Sequence, residues 1–150
     1  MTIYEIQECS DYEKLSTFFY NNGLEIEPGI KMPKEVLKCW ECIDSTSRHL
    51  IGAASLEMRE GEYVVADLAV DDAYRECKIG TELMHLVEKE ILSREGTQAW
   101  LVGKVPGFYI KLGWEVVLRE QAPDISKCFS CSKFGYECNP QVMHKSLDRG

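Results

Sequence analysis

Apolar residues change their spacing from segment to segment along the chain, and the spacing predicts the elements. Ile3-Tyr-Glu-Ile6 alternates as a strand does, and Ser10 or Asp11 stands where a helix cap is wanted. The helix that follows runs through Leu15, Phe18 and Phe19 and stops at Gly23. Leu24 to Pro33 reads as loop, with Pro33 opening a second short helix through Val36 and Leu37. Two strands come next, Lys38–Ile43 and Leu50–Met58, joined by the polar turn Asp44-Ser-Thr-Ser-Arg48. Glu60-Gly-Glu62 makes another turn, and Tyr63–Val70 a further strand. From Ile79, apolar residues at Leu83, Leu86, Val87 and Ile91 mark one face of a 3.6-residue period that ends at Gly96. Gln98–Val102 reads as a buried strand, Pro106–Leu112 as a short helix stopped by Gly113, and Trp114–Leu118 as a strand. A turn-rich, cysteine-bearing stretch from Gln121 to Pro140 precedes a last strand, Gln141–Leu147. Strands and helices interleaved in this order predict a mixed α/β sheet with helices on both faces.

Length and charge narrow the field. The 150 residues show no repeat, linker or low-complexity segment, so one domain over residues 1–150 is expected. A net charge of −8 argues against a nucleic-acid or anionic-membrane partner, which needs a concentrated basic face. It leaves room for one small phosphorylated ligand in a local basic pocket. No apolar run approaches the ~18 residues of a membrane span, and the start of the sequence lacks a signal pattern, so a cytoplasmic setting is expected. Seven cysteines, an odd number, fit reduced thiols or a metal site better than a secreted disulfide framework.

The stretch with the most chemistry is Asp67-Leu-Ala-Val-Asp-Asp-Ala-Tyr-Arg-Glu-Cys-Lys-Ile-Gly-Thr81, a strand feeding a helix through a short turn. Such a junction aims unpaired backbone N–H groups and the positive end of the helix dipole at one spot. With Arg75 and Lys78 beside it, phosphate is the natural guest; an ordinary solvated helix start reads equally well from the turn alone.

Val70-Asp-Asp-Ala-Tyr-Arg-Glu-Cys-Lys-Ile-Gly80 resembles the acyl-CoA-binding motif of the GNAT superfamily of N-acetyltransferases, with Arg75, Lys78 and Gly80 in its Arg/Gln, Gly and Gly/Ala slots. Lysine thus replaces the motif's first glycine. Phe108-Tyr-Ile-Lys-Leu-Gly-Trp-Glu115 is similar to the family's C-terminal motif, and Leu50–Ala54 and Met143–Leu147 suit its third and last strands. The resemblance covers nearly the whole chain. It implies a mostly antiparallel central sheet of six to seven strands flanked by about four helices. It further implies an N-acetyltransferase moving an acetyl group from acetyl-CoA to a primary amine of a small molecule or peptide, and a possible homodimer. Arg75, Lys78, Ile79, Gly80 and Thr81 would hold the phosphates, the backbone of Leu68, Ala69 and Val70 the pantetheine arm, and Glu76, Cys77 and Tyr109 would complete the cofactor site. Tyr109 matches the tyrosine that protonates the leaving thiolate, though a tyrosine there also reads as a core residue.

A neutral attacking amine calls for a general base. Asp67, a carboxylate in an otherwise apolar run, is the candidate, with a place on a solvated face as the alternative. Glu25 and Glu27 follow, in the loop where family members shape the acceptor site. Cys77, inside the turn, is the thiol to test for reactivity. Cys128, Cys131 and Cys138 would hold zinc or an iron–sulfur cluster only with a fourth ligand such as His144 or Cys9, and reduced thiols without metal are expected instead. Cys39 and Cys42, three apart on a strand, should face opposite ways. The alternative function is a non-catalytic CoA- or metal-binding sensor that uses the Cys128/Cys131/Cys138 loop.

Overall fold

The computed structural model describes residues 3–24, 26–103, 106–123, 125 and 141–147, with Glu76 by its backbone alone. Seven strands and three α-helices appear in the order β1 (Tyr4–Glu8), α1 (Tyr12–Asn21), β2 (Val36–Asp44), β3 (Leu50–Arg59), β4 (Glu62–Val70), α2 (Ile79–Ser93), β5 (Gln98–Gly103), α3 (Pro106–Lys111), β6 (Glu115–Val117) and β7 (Gln141–Ser146). The strands are ordered β1-β2-β3-β4-β5-β7-β6, antiparallel but for the β4–β5 pair, which is parallel at Val64↔Trp100. The chain packs as two compact units, Met1–Glu57 with Asp67–Val87, and Met58–Ala66 with Glu88–Gly150. No helix among the described residues is long and apolar enough to cross a membrane.

In the first unit the sheet is covered on both faces. Tyr12, Leu15, Phe18 and Phe19 of α1 pack with Cys39, Ala53 and Ala69 on one face. On the other, a Cβ added to Gly52 would lie 2.9 Å from Ile79 Cγ2 and 3.4 Å from Leu83 Cδ1, so α2 sits almost on the β3 backbone. Double coverage explains why Cys39–Asp44 and Ile51–Glu57 are buried without a break instead of alternating. Cys39 belongs to the α1-side core, while Cys42 Cβ borders Gly52 on the α2 side, as the three-residue spacing requires.

α1 begins where expected: the Asp11 carboxylate accepts from the Lys14 N–H at 3.2 Å. In α2 the fully buried residues are Ile79, Leu83, Met84, Val87 and Ile91, while Leu86 is half-buried. The short helix expected from Pro33 through Val36 and Leu37 does not form. A single turn, Val36 N–H to Pro33 O at 3.1 Å, is followed at once by β2, whose ladder to β3 starts at Val36↔Glu57. Five residues cannot offset the cost of helix nucleation, whereas a β-branched Val36 beside an existing strand adds to a ladder. That missing helix leaves three α-helices among the described residues where about four were expected.

In the second unit Val64, Ile125 and Val142 are buried together, with Trp100, Val102, Val117 and Ala122 packed against them. β6 keeps three residues of the expected Trp114–Leu118: Trp114 turns into the core at 2% exposure, while Leu118 lies 64% exposed.

Candidate active site

Backbone geometry at the end of β4 builds a concave array of donors. The Asp71 N–H bonds the Ile51 carbonyl of β3 at 2.8 Å, and the Asp71 carboxylate accepts from the Ala73 N–H at 2.9 Å, so the chain leaves the strand in a fixed direction. A 3-10 helix, Asp72–Cys77, follows and ends at Lys78 in the left-handed region, φ 61° and ψ 24°. The Lys78 carbonyl accepts the first α2 bond, from the Glu82 N–H at 3.2 Å. The N–H groups of Ile79, Gly80 and Thr81 therefore have no carbonyl within the helix. A right-handed residue followed by a left-handed one points successive N–H groups into a common hollow, a nest for anions. At Cys77–Lys78 that hollow runs straight into the positive end of α2.

Side chains around the hollow divide clearly. Arg75 and Lys78 are exposed, with Arg75 Nε 2.8 Å from Asp72 Oδ1. Ile79 is fully buried against β3, so it offers an anion only its N–H; Gly80 and Thr81 are half-buried. Ala69 joins the α1-side core, while Leu68 and Val70 are half-buried, so Ala69 too is limited to its main chain. Glu76 contributes backbone to the 3-10 helix, and Cys77 is half-buried with its carbonyl facing Tyr4 Oη at 3.3 Å. Tyr74 Oη donates to Asp44 Oδ2 at 2.8 Å and ties the 3-10 helix to the end of β2.

Asp67 is half-buried on the α1 side of β4 rather than on a solvated face. Its Oδ2 accepts from Ser55 Oγ at 2.8 Å and Tyr12 Oη at 3.3 Å. Burial, then the neighbouring Asp67 and Glu57 charges, push the Tyr12 phenol far above its ordinary range, so it stays a donor. Tyr12, Ser55 and the 4%-exposed Glu57 were not singled out from the sequence. A serine and a glutamate inside the apolar run Gly52–Leu56 and beyond carried a faint signal; Tyr12 carried none, since it sits on the apolar stripe of α1. Glu27 is exposed, and Glu25 lies outside the described residues.

In the second unit Tyr109 sits on α3, its ring against the β5 backbone: a Cβ on Gly103 would lie 2.8 Å from Tyr109 Cε2. Phe108 packs edge-on at 5.1 Å between ring centroids. Desolvation pushes the Tyr109 phenol up to about 12, which keeps its proton in place at any ordinary pH. Lys145 Nζ donates to the Leu112 carbonyl at 2.7 Å and pairs with Glu88 at 2.9 Å, holding the end of α3. The His144 ring packs tilted against Trp100 at 4.6 Å between centroids, with Nε2 2.9 Å from Gln98 Oε1. No group of His, Cys, Asp or Glu among the described residues is arranged to hold a metal, and Cys128, Cys131 and Cys138 lie outside those residues.

A family model described as an acetyltransferase (GNAT) domain matches residues 38–116, more than half of the chain and inclusive of the whole strand–turn–helix. The chain belongs to the GNAT acetyltransferase family. It is accordingly an acetyl-CoA-dependent N-acyltransferase. Three solved structures share the fold over nearly their full length. A GNAT acetyltransferase from Staphylococcus aureus Mu50 aligns at TM-score 0.71 and 17% identity, over 97% of this chain and 100% of that one. An aminoglycoside 6′-N-acetyltransferase complexed with coenzyme A aligns at 0.70 and 18%, over 97% and 99%. The ribosomal-protein-S18-alanine N-acetyltransferase of Escherichia coli aligns at 0.68 and 13%, over 99% and 96%. No curated protein sequence matches the chain.

Proposed function

We propose that this GNAT acetyltransferase acetylates a primary amine of a small molecule or peptide, with the nest at Cys77–Lys78 and the start of α2 binding the pyrophosphate of acetyl-CoA. The nest is the observation that carries the proposal, because it supplies anion-directed N–H groups whatever the family. Arg75 and Lys78 add charge at its rim, and Gly80 leaves the backbone approachable. Acetyl-CoA supplies the activated acetyl group as a thioester. The main chain of Leu68–Val70 would pair with its pantetheine arm as an added strand does. Arg75, Glu76, Cys77, Lys78, Ile79, Gly80 and Thr81 form the rest of the binding segment.

Asp67, oriented by two hydroxyl donors on one oxygen, is the group assigned to receive the amine's proton, directly or through water. Tyr109 holds its proton at Oη. Tyr109 is the group assigned to the departing thiolate, donating its hydrogen bond and then its proton as charge develops on sulfur, while Asp67 keeps the proton of the amine. The match of one family model across residues 38–116 supports a single acetyltransferase domain. Four free thiols among the described residues support a reducing, cytoplasmic setting. The Cys128/Cys131/Cys138 segment is the feature that would set this chain apart within its family.

Thiol release from acetyl-CoA across a panel of amines tests the proposal. One amine should accelerate release, and Tyr109→Phe should lower kcat about 10²-fold. No accelerating amine, or full activity in Tyr109→Phe, refutes the assignment.

A further inference from the structure

Tyr4 enters the phosphate turn from far away in sequence. Its hydroxyl lies 2.6 Å from Glu82 Oε1 and 3.3 Å from the Cys77 carbonyl, contacts that span 78 and 73 residues. Those two acceptors flank Lys78, the left-handed residue on which the nest depends. The strand carrying Tyr4 is fixed independently, since Tyr4 pairs with Asp44 of β2, and Asp44 in turn receives the Tyr74 hydroxyl. In a trans peptide the C=O and N–H point in opposite directions. A donor on the Cys77 carbonyl thus aims the Lys78 N–H away from Tyr4 and into the hollow. All peptide bonds of the described chain are trans.

We propose that Tyr4 is a positioning residue for acyl-CoA: its hydroxyl staples Cys77 to Glu82 across Lys78 and holds the Lys78 N–H toward the pyrophosphate. The inference rests on the assignment of the turn as the pyrophosphate site. The phenol has one proton and two acceptors, so the shorter bond to Glu82 takes the larger share, and the carbonyl contact orients the peptide without fixing it alone. Loss of the hydroxyl frees that peptide to rotate, and the nest then has to be re-formed on binding.

Calorimetric affinities for coenzyme A and for pantetheine, which lacks the pyrophosphate, separate this role from a general loss of structure. Tyr4→Phe should lower the preference for coenzyme A over pantetheine about five- to tenfold, the size of one lost hydrogen bond. A general loosening would weaken both ligands and leave the ratio in place; a ratio within twofold of wild type overturns the proposal. In a Glu82→Ala background the phenol's one proton is left to the Cys77 carbonyl, and a loss of at least twofold on Tyr4→Phe should persist. Its disappearance there would show that Tyr4 acts only through Glu82, and would overturn the carbonyl role. A wild-type protein with no preference for coenzyme A would instead sink the pyrophosphate assignment itself. Inorganic pyrophosphate added to the wild-type chain tests that assignment without variants: the Lys78 and Ile79 amide protons should move downfield, and their failure to move sinks the assignment and, with it, the role of Tyr4.

Discussion

Lys78 sits where the family motif has its first glycine, and replacing it separates backbone strain from charge. At φ 61° and ψ 24° its Cβ crowds the following carbonyl, a cost of about 1–2 kcal/mol for an L-residue. Glycine removes that cost but gains freedom in the unfolded chain worth about 0.5–1 kcal/mol. Lys78→Gly should therefore be more stable than Lys78→Ala by about 0.5–1 kcal/mol, since alanine keeps the strain and loses the same exposed side chain. In a chain of this length the melting temperatures should differ by roughly 1–4 °C. Coincident melts of the glycine and alanine variants would refute the strain argument. Affinity for coenzyme A reads the other half. An exposed cation near a bound anion contributes about 0.3–1 kcal/mol, so both variants should bind roughly two- to fivefold more weakly at low salt, and the gap should close in high salt. Tighter binding by Lys78→Gly would mean that the lysine loosens the turn and adds no useful charge.

Other outcomes follow from single contacts. Under the proposed assignment Asp72, whose Oδ1 lies 2.8 Å from Arg75 Nε, would compete with phosphate for Arg75, so Asp72→Asn should tighten coenzyme A about two- to threefold; unchanged or weaker binding by calorimetry would show that Arg75 does not reach the ligand. Gly103→Ala pushes a methyl to 2.8 Å from Tyr109 Cε2 and should cost about 1–3 kcal/mol in denaturant unfolding, together with a fall in kcat; full activity would mean that the ring's position is not critical. Burial opposes ionisation of Glu41, but hydrogen bonds from Lys14 and Gln7 prevail and hold its carboxyl below the usual range. A depressed carboxyl stabilises the fold above its unfolded value near ~4.3 and loses that contribution as pH falls through the folded one. Lys14→Met should accordingly unfold more easily at pH 7, by about 1 kcal/mol after allowance for the 43%-exposed lysine, with the gap to wild type closing as the medium is acidified below pH ~4. A gap unaltered by pH would locate the effect in packing.

Local rules wrote most of the elements into the sequence. The Asp11 cap, the period from Ile79 to Ile91 and the short helix before Gly113 needed only neighbours a few residues away, and all three are present. The segment from Pro33 to Leu37 departs from its local pattern because its fate depends on β3, where Val36 pairs with Glu57. The strand–turn–helix that carries Arg75, Lys78 and Gly80 was legible because it is a continuous stretch of chain. The contacts that meet that stretch were not legible: the Asp71 bond to Ile51 and the Tyr4 hydroxyl at the Cys77 carbonyl come from β3 and β1. Asp67 shows the same division. An acid among apolar residues marks itself in the sequence, but whether it meets water or Tyr12 and Ser55 is decided by which face α1 covers. Period and capping act through bonds spanning three to five residues, so the sequence alone determined the helices, most strands and the cation-bearing turn. Orientation and desolvation come from contacts spanning 12 to 78 residues, and those only the tertiary structure could decide.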